Sequence, residues 1–153
     1  MKSLSECKCR QELAARIERV RPDSPRLWGK MTAPQMICHL NDAFLGIIGD
    51  KPLEISRGFS LWPVLKYVAL YSPAKWPRGV PTRPEMDQLG GGGTPPAEFA
   101  SDVRKLLASM DRFTRRPRDF EFLPHPMFKK LSESQWMRWG YLHVDHHLRQ
   151  FGQ

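Results

Sequence analysis

The chain has 153 residues, of which 41% are apolar and 26% charged, proportions that suit one folded domain spanning 1–153 and exclude an extensively disordered chain. Its longest apolar stretch, Phe59 to Tyr71, is broken by Pro63 and Lys66 and falls short of the roughly 20 residues of a membrane span; the start, MKSLSECKCRQEL, lacks an apolar signal core, so the expected location is the cytoplasm, with no membrane partner. The formal net charge of +8 invites a nucleic-acid reading, but the basic residues are diffuse and no specific nucleic acid is expected as a partner.

In chain order, the first helix is predicted from about Leu4 to Val20, where Leu13, Ile17 and Val20 recur at helical spacing. Thr32-Ala33-Pro34-Gln35 is a capping box with proline in the first turn, and it announces a helix to about Ile48 with Met36, Leu40, Ala43, Phe44 and Ile47 as its apolar stripe. Gly49 stands where an end signal belongs. Residues 50–93 read as a short buried helix within the Phe59 to Tyr71 island, followed by a long irregular loop. The Gly90 to Gly93 run lacks the Gly-Lys-Ser/Thr of a phosphate loop and reads as a flexible connector.

A further helix is predicted to start near Thr94-Pro95-Pro96, with Phe99, Val103, Leu106, Met110 and Phe113 on one face. The basic run after it, Arg112, Arg115, Arg116 and Arg118, is expected to face solvent and to bind polyanions only weakly. Ser132-Glu133-Ser134-Gln135 is a second capping box and opens a helix to about Phe151. Four principal helices and no alternating strand pattern predict an all-α, up-and-down four-helix bundle, with the long irregular connection between its second and third main helices.

Three of the five histidines crowd into Leu142-His143-Val144-Asp145-His146-His147. At 100° per residue, His147 sits about 40° around the helix from His143 and one turn above it, so the two share the face that also carries Trp136, Gly140 and Val144. His146 falls at the boundary of that face. Two neutral imidazoles at i and i+4 can ligate one metal from a single helix, as in HExxH sites, although the glutamate of that motif is absent and a peptidase of that type is disfavoured. His39, on the edge of the second helix's stripe, is the natural third ligand. The plainer reading is that these are hydrogen-bonded core histidines, since buried polar groups need partners in any case. Asp42 reads equally as an acceptor fixing an imidazole or as a solvated helix charge, His146 as an orienting group, and His125, beside Pro126, as a loop brace or a substrate contact. Cys7, Cys9 and Cys38 form no disulfide framework and no metal pattern; Cys38 is expected to pack.

The stretches MTAPQMICHLND, residues 31–42, and HPMFKKLSESQWMRWGYLHVDHHLRQFG, residues 125–152, resemble an uncharacterised bacterial branch of the DinB-like superfamily. The resemblance implies a four-helix bundle whose metal is held by one histidine of the second helix and an HxxxH pair of the last, which fall here on His39, His143 and His147. Lys129 stands where the pattern after HPxF has glycine. Characterised relatives include thiol-dependent transferases. The expected function is therefore a metal-binding protein, as a metal-dependent thiol transferase or hydrolase using a metal-bound thiolate or water, or alternatively a non-enzymatic small-molecule or metal-responsive binding protein on the same bundle. The expected cofactor is a divalent transition metal, with Zn, Ni and Fe all suited, alongside a low-molecular-weight thiol. The expected partners are a small-molecule substrate and, as an open option, a second copy of the chain in a homodimer.

Overall fold

The computed structural model describes residues 1–53 and 62–153. These form five α-helices, α1 (Cys7–Arg19), α2 (Ala33–Ile48), α3 (Trp62–Tyr71), α4 (Phe99–Thr114) and α5 (Glu133–Leu148), with short 3-10 turns at Pro84–Met86 and Arg149–Phe151. Among the described residues there is no strand, only an isolated antiparallel bridge between His125 and Lys129. None of these helices is long and apolar enough to cross a membrane.

Both capping boxes close in both directions. The Thr32 hydroxyl accepts from the Gln35 amide while the Gln35 side chain accepts from the Thr32 amide, and Ser132 and Gln135 repeat the exchange at α5. Each cap contributes about 1 kcal/mol and, more to the point here, fixes the register of the helix behind it. The apolar stripes then meet: α2 packs along α4, α1 along α5, and α2 also against α5. Leu13, Ile17, Met36, Leu40, Phe44, Leu106, Phe113, Trp136 and Val144 are essentially without solvent exposure. Phe113 sits edge-on to Phe44 and Trp136, at centroid distances of 4.9 and 6.3 Å.

The structure departs from the sequence reading at several element ends. Residues 4–6 precede α1 as a turn; Leu4 reaches the core without helix, its amide donating to the Met137 carbonyl. Helix α4 begins at Phe99 rather than near residue 95, because Glu98 caps it by accepting from the Ala100 and Ser101 amides while Thr94 is engaged elsewhere. The last helix tightens into a 3-10 turn after Leu148.

The short helix expected to be buried is α3, and its described side chains are largely not: Val64, Tyr67 and Val68 are more than half exposed, and among the described side chains only Leu70 is fully covered. The Phe59 to Leu61 part of that island lies outside the described residues. The glycine run is a packed turn rather than a free connector, since Gly93 donates to the Asp87 carbonyl and a Cβ at Gly92 would run into the Pro84 carbonyl. The arginine run is also more engaged than expected. Arg112 pairs with Asp50 and Asp119, Arg116 and Arg118 both pair with Glu133, and Arg118 lies over the Phe122 ring, so Arg115 and Arg116 face solvent as expected but only Arg115 of the four makes no ion pair among the described residues.

Gly49 ends α2 with φ +90°, a left-handed conformation that costs an L-residue roughly 1 to 2 kcal/mol. There is room for a methyl group, because the nearest atom to a Cβ there is a Leu123 side-chain carbon at 3.8 Å. Gly49→Ala should therefore lose about 1 to 2 kcal/mol of stability through backbone strain alone, read as a lower urea midpoint with an unchanged slope.

Candidate metal centre

The registers set by the two caps bring three histidines together. His39 lies about two turns into α2 from Thr32, and His143 about three turns into α5 from Ser132, with His147 one turn further. Their ring centroids stand 5.4 Å apart for His39 and His143, 4.7 Å for His39 and His147, and 4.9 Å for His143 and His147. One nitrogen from each ring lies within 4.8 Å of the other two. His39 and His147 are buried, whereas His143 keeps partial exposure.

The hydrogen bonds decide which nitrogens face inward. His39 donates from Nδ1 to the Met86 carbonyl at 3.0 Å, an acceptor that cannot donate, so the ring carries its proton on Nδ1. His147 donates from Nδ1 to the Gln150 side-chain oxygen at 3.2 Å. In both rings this leaves Nε2 with a lone pair, the arrangement in which an outer hydrogen bond fixes the tautomer of a ligating histidine. His143 is held by rings instead, stacked on Trp139 at 4.8 Å and 28° and flanked by Trp76 at 6.2 Å. Burial lowers all three from the ordinary histidine value, and the crowding of the other imidazoles helps to hold His143 and His147 well below it. Three neutral imidazoles form a donor set that suits zinc, nickel or iron, and a fourth position would stay open.

The other three candidates are not in the cluster. Asp42 does not touch an imidazole; its buried carboxylate accepts from the Thr94 amide at 2.7 Å, the Thr94 hydroxyl at 2.6 Å and the Gln88 side chain at 3.1 Å, and faces the Lys51 ammonium at 2.8 Å. Its charge acts on His39 through space, favouring the protonated ring, and its bonds pin the segment whose Met86 carbonyl holds that ring. His146 is outside the donor set although its ring is edge-on to His147 at 5.3 Å; it also contacts Trp28 at 4.9 Å and Trp76 at 5.9 Å, and its Nδ1 has no hydrogen-bond partner among the described residues. His125 braces its own loop. Its Nδ1 accepts from the Met127 and Phe128 amides, its backbone exchanges hydrogen bonds with Lys129, and it reaches His143 only through Trp139. Lys129 takes φ +58°, the left-handed conformation for which glycine is the usual residue.

Sequence reasoning missed Gln150, Met86 and the tryptophans. Gln150 was findable, since it follows His147 by one helical turn. A backbone carbonyl such as that of Met86 leaves no mark in a sequence. Cys38, beside His39 in sequence, is no nucleophile: burial, with the Asp102 carboxylate alongside, pushes its thiol up to about 12.

Two expectations follow from this geometry. Asp42→Ala should cost about 3 kcal/mol by stranding the Lys51 ammonium and the Thr94 and Gln88 donors, with loss of amide-exchange protection over 86–94 while α5 stays protected. The metal-free protein should also lose stability in acid. All five histidines resist protonation when folded, with His125 pushed down to about 3 and His146 to about 4 by burial, whereas the unfolded chain takes up protons below the ordinary value of 6.5. Stability is thus fully present above 6.5 and falls as pH drops from there toward 4, by up to about 1.4 kcal/mol per pH unit for each group. Urea midpoints across that range check it; a flat profile would contradict it.

No curated protein and no solved structure matches the chain. One family does match, over residues 10–153, so the cluster, both capping boxes and the whole connection between α2 and α4 lie inside it. The chain belongs to the family described as Protein of unknown function (DUF1569).

Proposed function

We propose that the chain is a DinB-like protein in which α1, α2, α4 and α5 form an up-and-down four-helix bundle, and in which His39, His143 and His147 hold one divalent transition ion for metal-dependent thiol transfer or hydrolysis of a small molecule. The observation that carries this reading is the convergence of three buried or half-buried imidazoles from two helices, two of them with Nδ1 committed to fixed acceptors and Nε2 left free. Core histidines without a metal would be expected to satisfy both ring nitrogens with partners of their own. The resemblance of residues 31–42 and 125–152 to the DinB-like pattern supports the same three ligands.

A bound ion would supply Lewis acidity and lower the pKa of a water or thiol entering its open position. The chain's own residues do the rest. Met86 and Gln150 orient two rings, Trp139 sets the plane of the third, and the surrounding aromatic side chains keep bulk water from the buried side of the cluster. Burial disfavours the thiolate of Cys38, the cysteine next to His39 in sequence, which fits a thiol nucleophile supplied by a small molecule rather than by that side chain.

The test is zinc and nickel titration of tag-free protein by calorimetry, with elemental analysis. One ion per chain is expected, with affinity falling as pH drops because the ligands must be neutral. His143→Ala and His147→Ala should each weaken binding by at least about 100-fold while leaving the helical circular dichroism spectrum in place. Unchanged stoichiometry and affinity in both variants would overturn the metal reading. Metal binding without metal-dependent turnover of any thiol and electrophile would leave a binding protein on the same bundle.

A further inference from the structure

Beside the histidine cluster lies a second feature that the metal reading does not use. It is an open pocket of about 410 Å³, within the range of small-molecule sites, contributed by three separate segments: the connection between α1 and α2, the loop after α3, and the C-terminal 3-10 turn. Its walls are Trp28 and Trp76, and Lys75, Arg78 and Arg149 surround it; no acidic side chain lines it. Arg149 is engaged with Asp145 at 2.9 Å. Lys75 and Arg78 make no ion pair among the described residues, and the Arg78 guanidinium lies over the Trp28 ring at 4.9 Å.

The walls are set without help from a ligand. The Trp76 indole donates to the Ala69 carbonyl at 2.7 Å, and the backbone next to Trp28 is tied down by the Leu27 amide donating to the Gln150 carbonyl at 2.6 Å. The fixed Trp76 indole, and the Trp28 indole with the Arg78 guanidinium laid over it, offer contact to a planar group at little cost in side-chain entropy. Two exposed cations with no carboxylate partner give the rim a positive potential that favours an anion.

The pocket also adjoins the cluster. Trp28 and Trp76 both contact the His146 ring, and Trp76 reaches His143, the partly exposed member of the three, at 6.2 Å. One layer of rings separates the two.

We propose that this pocket binds an anionic small molecule with a planar body, a carboxylate or phosphate carried on an aromatic or conjugated group, and that such a molecule is the substrate class of the neighbouring histidine site. The second half rests on the metal reading above; the binding itself does not.

The experiment uses the full chain, metal-free and zinc-loaded, with 2-naphthoate, its neutral counterpart 2-naphthamide, and inorganic phosphate as probes, read by tryptophan quenching and calorimetry. Naphthoate should bind at least about 10-fold more tightly than naphthamide or phosphate, since only it has both the charge and the ring. Lys75→Ala/Arg78→Ala, two exposed positions outside the cluster, should weaken naphthoate by about 10-fold or more and leave zinc affinity unchanged. Trp28→Ala should weaken naphthoate and naphthamide alike. Equal affinity for naphthoate and naphthamide, or undiminished naphthoate binding in the double variant, would overturn the anionic assignment, and phosphate binding as tightly as naphthoate would overturn the planar one. Naphthoate affinity that is the same with and without zinc would sever the pocket from the metal site. The two readings fail separately: zinc bound without naphthoate removes the pocket alone, and naphthoate bound without zinc removes the metal site alone.

Discussion

The carboxylate of Asp42 is buried on α2 with four polar groups around it, from Lys51, Gln88 and both the amide and hydroxyl of Thr94, and every one belongs to the chain between α2 and α4. A charge taken so far from water is tolerable only when its lone pairs are filled, so folding α2 into the core obliges the connection to close over it. Closure brings the Pro84–Met86 turn against α2, where the Met86 carbonyl accepts the hydrogen bond from His39 Nδ1–H, and it draws Gly92 so near the Pro84 carbonyl that no side chain would fit there. The tautomer of His39 and the path of the connection are therefore one problem with one solution. A long loop that looks dispensable in sequence is, in physical terms, the outer support of a histidine.

The α5 side of the cluster is supported differently. His143 has no hydrogen-bond partner among the described residues, and its plane is set by Trp139, which is itself edge-on to Trp136 at 5.4 Å and through it continuous with the Phe113 and Phe44 core. Rings packed this way hold orientation through shape, and cores at native density resist the small shifts that would tilt one of them. One histidine is thus positioned by polar bonds that can be broken singly, another by an aromatic stack continuous with the core. Substitutions that loosen the connection and substitutions that loosen the core should disturb different rings.

Helix existence, the two capping boxes and the inward faces of α1, α2, α4 and α5 were legible because each is written in local spacing: Leu13 and Ile17, Met36 and Leu40, Leu106 and Phe113 read as stripes and pack as stripes. The convergence of His143 and His147 was legible for the same reason, being a one-turn repeat. What lay beyond local spacing was misread. Thr94 looked like a helix start, yet its amide and hydroxyl are spent on Asp42, 52 residues earlier, and Glu98 caps α4 in its place. Glycine was read as freedom at 90–93, where Gly92 instead marks a close backbone approach. The roles of Asp42 and His125 stayed open in sequence because both are settled by which backbone groups arrive from elsewhere, and periodicity carries no information about that.

The positive charge shows the same contrast between composition and placement. An excess of +8 suggests a polyanion-binding surface, but charge matters by where it is left uncompensated. Arg16 is locked to Asp145 at 2.8 Å, holding α1 to α5, and Arg112 in the last turn of α4, with Arg116 and Arg118 after it, closes the connection to α5 through Asp119 and Glu133. These cations are structural, and a phosphate backbone would have to break ion pairs to use them. Among the cations left without an ion pair, Lys75 and Arg78 stand together on a single loop beside Trp76, within one ring layer of His143. Two uncompensated cations at one small concave place favour a compact anion there, while the other unpaired cations, Arg115 among them, are scattered and leave only weak, salt-sensitive attraction for a long polyanion.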